Sequence, residues 1–160
     1  GSFSGSFVGT LSGNATTATS ASYALTASYA LNGGGSSTTQ GISFVTGSVT
    51  SSVVSFDCST NQLFEVNMSS ITGSFTANFT NLGLTSGNAT TVTLVLKQGS
   101  SGYYTNGLQV GGTALTLNTN WFWQGGSTPS GTANKKDIIS FNIYNNNGTY
   151  TAYSQLISFG

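Results

Sequence analysis

The groups able to do acid, base, nucleophilic or metal chemistry are few. The carboxylates are Asp57, Glu65 and Asp137, the cations are Lys97, Lys135 and Lys136, the only thiol is Cys58, and histidine is absent. Hydrolysis by general acid and base asks for a carboxylate pair, or for a nucleophile beside a base. Three scattered carboxylates define no such pair within one chain. A pair assembled between copies of the chain is the enzymatic arrangement left open. Cys58 has no histidine to activate it and few charges to lower its pKa, so it reads as a small buried hydrophobe. A single cysteine also excludes an intramolecular disulfide. Metal binding through nitrogen or sulfur fails for the same want of ligands, and no Asp-rich loop points to calcium. Asp137 follows Lys135-Lys136, which reads as a solvated turn with a local ion pair worth at most about 1 kcal/mol. The expectation is a protein that is not an enzyme and carries no cofactor and no metal.

Binding chemistry falls instead to aromatic residues. Trp121, Phe122 and Trp123 precede the Gly125-Gly126 pair, and Tyr103 and Tyr104 lie in another glycine-flanked segment close to Asn106. Indole and phenol faces stack on sugar rings, and neighbouring Asn, Gln and Ser supply uncharged hydrogen bonds to hydroxyls. The candidate ligand-binding residues are therefore Trp121, Trp123, Tyr103, Tyr104 and Asn106. Core packing of alternate members is the competing reading for the two tryptophans, above all for Trp123 with Pro129.

Charge narrows the partners further. Charged residues make up 4% of the 160 and the net charge is zero, against about 25% charged in ordinary soluble domains. Three lysines without arginine cannot neutralise a run of phosphates, so nucleic acid is not an expected partner. Apolar runs such as 92–96 fall far short of the roughly 20 residues of a membrane-spanning helix, so membrane insertion is not expected either. Ser, Thr, Gly and Asn supply 88 of the 160 residues, yet 37% are apolar and 12% aromatic. That balance favours a folded, mainly β chain over disorder.

The elements that must position these residues divide in two. Gly1, Gly5, Gly9 and Gly13 recur every four residues, with Phe3, Phe7, Leu11 and Ala15 midway between them. In an extended strand all eight share one face, and rings of one strand can sit over glycines of another. A pattern already running at residue one is what a piece of a longer repetitive protein would show. From Ala15 the period becomes three, through Ala18, Ala21, Ala24, Ala27 and Ala30, overlaid by a Ser-Tyr-Ala-Leu repeat that contributes Leu25 and Leu31. Small residues at every third position suit a threefold bundle of extended chains, and a short trimeric helix is the alternative. Such repeats need partners to bury their apolar face. Residues 1–35 are thus expected to be a stalk and trimerisation segment. Its oligomerisation residues would be Phe3, Phe7, Leu11, Ala15, Ala18, Ala21, Ala24, Leu25, Ala27 and Leu31, and it ends in the glycine-rich joint 32–39.

Residues 41–160 show short alternating runs separated by Gly, Asn and Ser clusters, the signature of an antiparallel β-sandwich or jelly roll. Phe64, Val66 and Met68 share one face of a strand. Phe75, Ala77 and Phe79 share another, as do Val92, Leu94 and Leu96, and Ile139, Phe141 and Ile143. Asn145-Asn146-Asn147-Gly148 predicts a type I′ hairpin joining a strand over 138–144 to one over 149–157. The fold class expected is all-β, an extended trimeric stalk followed by an antiparallel sandwich-like tip domain.

The order of these segments resembles that of bacteriophage tail fibres. The run Gly9-Thr10-Leu11-Ser12-Gly13-Asn14-Ala15-Thr16-Thr17-Ala18 looks like the stalk motif of such fibres, and the Ser-Tyr-Ala-Leu-Thr-Ala repeat is similar to repeats in structural proteins of marine phages. Asp57-Cys58-Ser59, Phe64-Glu65-Val66, the strand over 91–97, Trp123-Gln124-Gly125-Gly126 and Asp137-Ile138-Ile139 look like the family's β-structured tip. Gln124 stands where the family usually has proline. The resemblance implies a homotrimeric, non-enzymatic virion protein acting outside the cell. Its partners would be its own copies, other tail components and a glycan or protein on the host surface. A self-assembling bacterial extracellular filament or adhesin is the alternative.

Overall fold

The computed structural model describes residues 41–45 and 52–160. The expected stalk, its oligomerisation residues and the joint at 32–39 lie outside the described residues. Ten strands run in chain order: β1 Ile42–Val45, β2 Val53–Asp57, β3 Leu63–Asn67, β4 Phe75–Thr80, β5 Ala89–Lys97, β6 Thr105–Val110, β7 Thr113–Leu115, β8 Trp121–Trp123, β9 Lys136–Asn146 and β10 Thr149–Phe159. Among the described residues there is no α-helix, only two single turns of 3₁₀ helix at Met68–Ser70 and Gln124–Gly126.

The strands form a six-stranded sheet in the order β1-β3-β5-β9-β10-β8 and a four-stranded sheet in the order β2-β4-β6-β7. The all-β expectation holds, but the antiparallel one does not. β1, β3 and β5 pair in parallel, as do β2, β4 and β6, and β8 lies parallel to β10. Only β5 with β9, β9 with β10 and β6 with β7 are antiparallel. The reason is that β1 to β6 alternate between the sheets, so each connection crosses the core instead of turning back on its own strand. Two parallel neighbours need a crossover between them. Here the crossover is a strand of the opposite sheet, and the chain winds as a flattened coil. The expected jelly-roll connectivity is replaced by this winding and the C-terminal hairpin.

Period-two alternation places the core as the sequence predicts. Phe64, Val66, Phe75, Ala77, Phe79, Val92, Leu94, Leu96, Ile139, Phe141 and Ile143 are all buried. The two sheets meet through rings, with Phe56 of β2 edge-on to Phe64 of β3 at 5.1 Å and Phe79 of β4 edge-on to Phe141 of β9 at 5.1 Å. Such pairs contribute about 0.5–1.5 kcal/mol beyond their buried area.

The β9–β10 hairpin forms as expected. Asn147 and Gly148 have φ of 51° and 87°, the positive pair a type I′ turn requires. Asn145 secures it, accepting from the Gly148 N–H at 2.8 Å and donating to the Leu84 carbonyl at 2.7 Å. At the opposite end of the sheet, the segments 98–104 and 130–135 cross closely. A Cβ on Gly102 would stand 2.3 Å from the Gly131 carbonyl oxygen, and one on Gly131 2.3 Å from that of Tyr103.

Candidate functional site

The aromatic run at 121–123 is β8, which lies along the middle of β10 with Ala152, Tyr153 and Ser154 opposite Trp121, Phe122 and Trp123. Alternation therefore sends the two tryptophans one way and Phe122 the other. Trp121 and Trp123 are buried, their ring centroids 5.5 Å apart, and Trp123 lies 6.1 Å from Phe141. The Trp121 indole N–H donates to Ser154 Oγ at 2.9 Å. Both indoles are packed into the core beneath the edge of the sheet, and Trp123 also reaches the wall of the groove described below.

Tyr103 is half-buried against the core, and its backbone is clamped by Gln98. The Gln98 amide nitrogen donates to the Tyr103 carbonyl at 2.6 Å, and its oxygen accepts from the Tyr103 N–H at 3.0 Å. The Tyr104 N–H donates to Ser74 Oγ at 3.3 Å. Asn106 is exposed on β6 of the other sheet. The five sequence candidates do not converge on one site.

Three aromatic residues that the sequence reading did not select do converge. Phe122 stacks on Tyr153 with centroids 5.4 Å apart and planes 20° apart, and Tyr144 of β9 meets Tyr153 edge-on at 5.7 Å. Tyr153 is 51% and Tyr144 45% exposed. A groove of about 180 Å³ opens beside them, lined by Phe122, Trp123, Gln124, Asn142, Tyr153, Ser154 and Gln155. Its polar groups are amides and hydroxyls, with no charged side chain among them. Asn142 is held in place by Thr91, whose hydroxyl donates to Asn142 Oδ1 at 2.7 Å. An open aromatic wall flanked by oriented amides can stack on the apolar face of a sugar and hydrogen-bond its hydroxyls.

The charged groups lie elsewhere and are largely occupied. Lys97, Lys135 and Lys136 line a cleft of about 490 Å³ at the far end of the six-stranded sheet, with Phe159. Lys97 pairs with Glu65 at 2.5 Å, the only ion pair among the described residues. Asp137 is not the solvated, ion-paired turn residue the sequence predicts. It is fully buried and accepts from the Gln98 amide and the Thr132 N–H, each at 2.8 Å, and from the Ser158 hydroxyl. These uncharged donors explain how a lone carboxylate is tolerated inside the fold.

Asp57, exposed at the end of β2, has its pKa lowered by the Ser59 N–H and then by the Asn81 amide, each 3.0 Å away. Cys58 is buried and its thiol donates to the Phe56 carbonyl at 3.6 Å. Burial, and then the charge of Asp57, push the thiol up to about 12, which leaves it protonated and inert as a nucleophile. No group of three potential metal-ligating His, Cys, Asp or Glu residues occurs among the described residues. No protein-family model, curated protein or solved structure matches the chain.

Proposed function

We propose that the chain is the structural and receptor-binding part of a phage tail fibre, in which residues 1–35 form a trimeric stalk and residues 41–160 a tip that adsorbs to a host surface glycan or protein. One observation carries the binding half of this reading: an uncharged platform of Phe122, Tyr153 and Tyr144 beside the amides of Asn142 and Gln155, open on the outer face of the six-stranded sheet. Weak contacts of this kind gain strength from three copies, because linked sites multiply their effective concentration. The stalk half is supported by the repeats of the sequence. The alternative, an extracellular filament subunit, draws on the open edge that β1 gives the six-stranded sheet.

The test is adsorption of the purified chain to host cells and to isolated neutral glycans, compared with Tyr153→Ala. The expected outcome is saturable binding that falls at least tenfold in the variant while its circular dichroism shows the β fold kept. Equal adsorption by both proteins overturns the role of the platform. An open helical stack in place of a closed trimer, seen by electron microscopy, overturns the fibre reading in favour of the filament.

A further inference from the structure

The outer face of the six-stranded sheet has a second region, next to the aromatic groove along the strands. One row across it runs Phe44, Glu65, Val95, Ile138 and Ile157. The next row inward contains Ile42 and Leu63, and the row on the other side ends in Phe159. Phe44 is 64% exposed, Phe159 51%, Ile42 50% and Ile157 48%. Large apolar side chains so exposed, and gathered on one face, mark a contact surface.

We propose that this region is where the tip domain meets a second copy of the same chain. The area is sufficient: with about 200 Å² to a large side chain, the four exposed residues offer about 420 Å², and Leu63, Val95 and Ile138 bring the patch to about 550 Å². Two such patches together bury about 1,100 Å², above the roughly 1,000 Å² that a specific interface needs. The charge also fits a copy of the chain. Glu65, the one carboxylate in the patch, is already paired with Lys97, so covering it strands no lone acid. Lys136, which stands between Lys97 and Phe159 in the outermost row, forms a polar rim.

Chain order selects a copy over an unrelated partner. The repeats of residues 1–31, read above as a segment that pairs with its own copies, are joined to β1 by only the short stretch 32–41, and β1 supplies Ile42 and Phe44. Copies joined through those repeats hold their β1 strands at high local concentration. In this respect the inference rests on the stalk reading above.

The experiment is hydroxyl-radical footprinting of the full 160-residue chain over a dilution series, with sedimentation velocity at each concentration. Phe44, Ile157 and Phe159 are expected to lose reactivity as the chain associates, while Tyr153 stays reactive. The double variant Phe44→Ser with Ile157→Thr is expected to keep its circular dichroism and to lower association at least tenfold. A chain that associates while Phe44 and Ile157 stay reactive overturns this contact and leaves the stalk reading intact. A chain that remains monomeric at 100 μM, leaving the face to a different partner, overturns both. Protection at these residues in a dimer or an open polymer supports the contact and overturns the trimeric fibre.

Discussion

On the outer face of the four-stranded sheet, Ser55, Asn78 and Gln109 stand in one row, and Asn78 bonds both Ser55 Oγ at 3.1 Å and the Gly112 N–H at 3.0 Å. On the outer face of the six-stranded sheet, the corresponding rows hold Phe44, Val95, Ile138 and Ile157, or Phe122, Tyr153 and Asn142. Six of the seven large apolar or aromatic side chains most exposed in the described residues belong to this second face, and none to the first. Both faces come from a sequence almost without charge, so charge is not what separates them. The difference lies in whether the polar groups satisfy one another. Ser55, Asn78 and the Gly112 N–H satisfy one another and suit water, whereas the aromatic and aliphatic rows leave exposed apolar area.

The strongest way to break this contrast is to remove what holds the two faces together. Phe79 lies between Phe56 at 5.7 Å and Phe141 at 5.1 Å, and Phe79→Ala is expected to destabilise the fold by about 3–5 kcal/mol. In a urea titration both sheets should lose structure in one transition at a lower midpoint. Next in size, Asp137→Ala leaves the Gln98, Thr132 and Ser158 donors without their acceptor at one end of the six-stranded sheet. A loss of about 2–3 kcal/mol is expected, with amide exchange rising first in 98–104 and 130–135. A matched pair then sharpens the contrast. Asn78→Ala should cost about 1 kcal/mol and leave adsorption unchanged, while Tyr153→Ser, which gives up the Phe122 and Tyr144 ring contacts, should cost about 1–2 kcal/mol and abolish adsorption.

The smallest effect is electrostatic and belongs to the hydrated face. Asp57 has its pKa held below the ordinary 3.8. The unfolded chain therefore takes up this proton at a higher pH than the folded one, so the stabilisation is present above about pH 4 and is lost as pH falls through the folded pKa. Asp57→Asn should lower the melting temperature slightly at neutral pH and leave it unchanged below the folded pKa, so the acid limb of the profile becomes flatter.

The strand faces were legible because period two is local information. Phe75, Ala77 and Phe79 declare their side of β4 with no knowledge of its neighbours. Pairing was not legible. Residues 81–88 contain Asn81, Gly83 and Gly87, all with positive φ, and look like a hairpin turn, yet they carry the chain from one sheet to the other. The glycine pair at Gly111 and Gly112 does close a hairpin, between β6 and β7. Nothing in composition tells the two segments apart; only the burial of both sheets against one core decides. The site was half legible for the same reason. Alternation within Trp121-Phe122-Trp123 offers two opposite faces, and Tyr144 could be placed opposite Ile139 and Ile143. The parallel docking of β8 on β10, which brings Phe122 to Tyr153, is a contact across 31 residues that local pattern does not reach.

The winding of β1 to β6 between two sheets sets an order in time. β9 and β10 are eleven residues each and joined by a tight turn, so they can zip locally within about 1–10 μs. Each parallel pair within β1 to β6 must first close a loop that contains a whole strand of the other sheet, which is entropically slower. β5 completes its pairing only on β9, near the far end of the chain. Folding is therefore expected to run against the direction of synthesis, from the C-terminal hairpin back through β5 and β3 to β1. Pulse-labelled hydrogen exchange should protect β9 and β10 before β1 and β3. The strand that carries Ile42 and Phe44 would then be the last to settle, and a surface meant for sister chains would be finished only when the rest of the domain can no longer trap it.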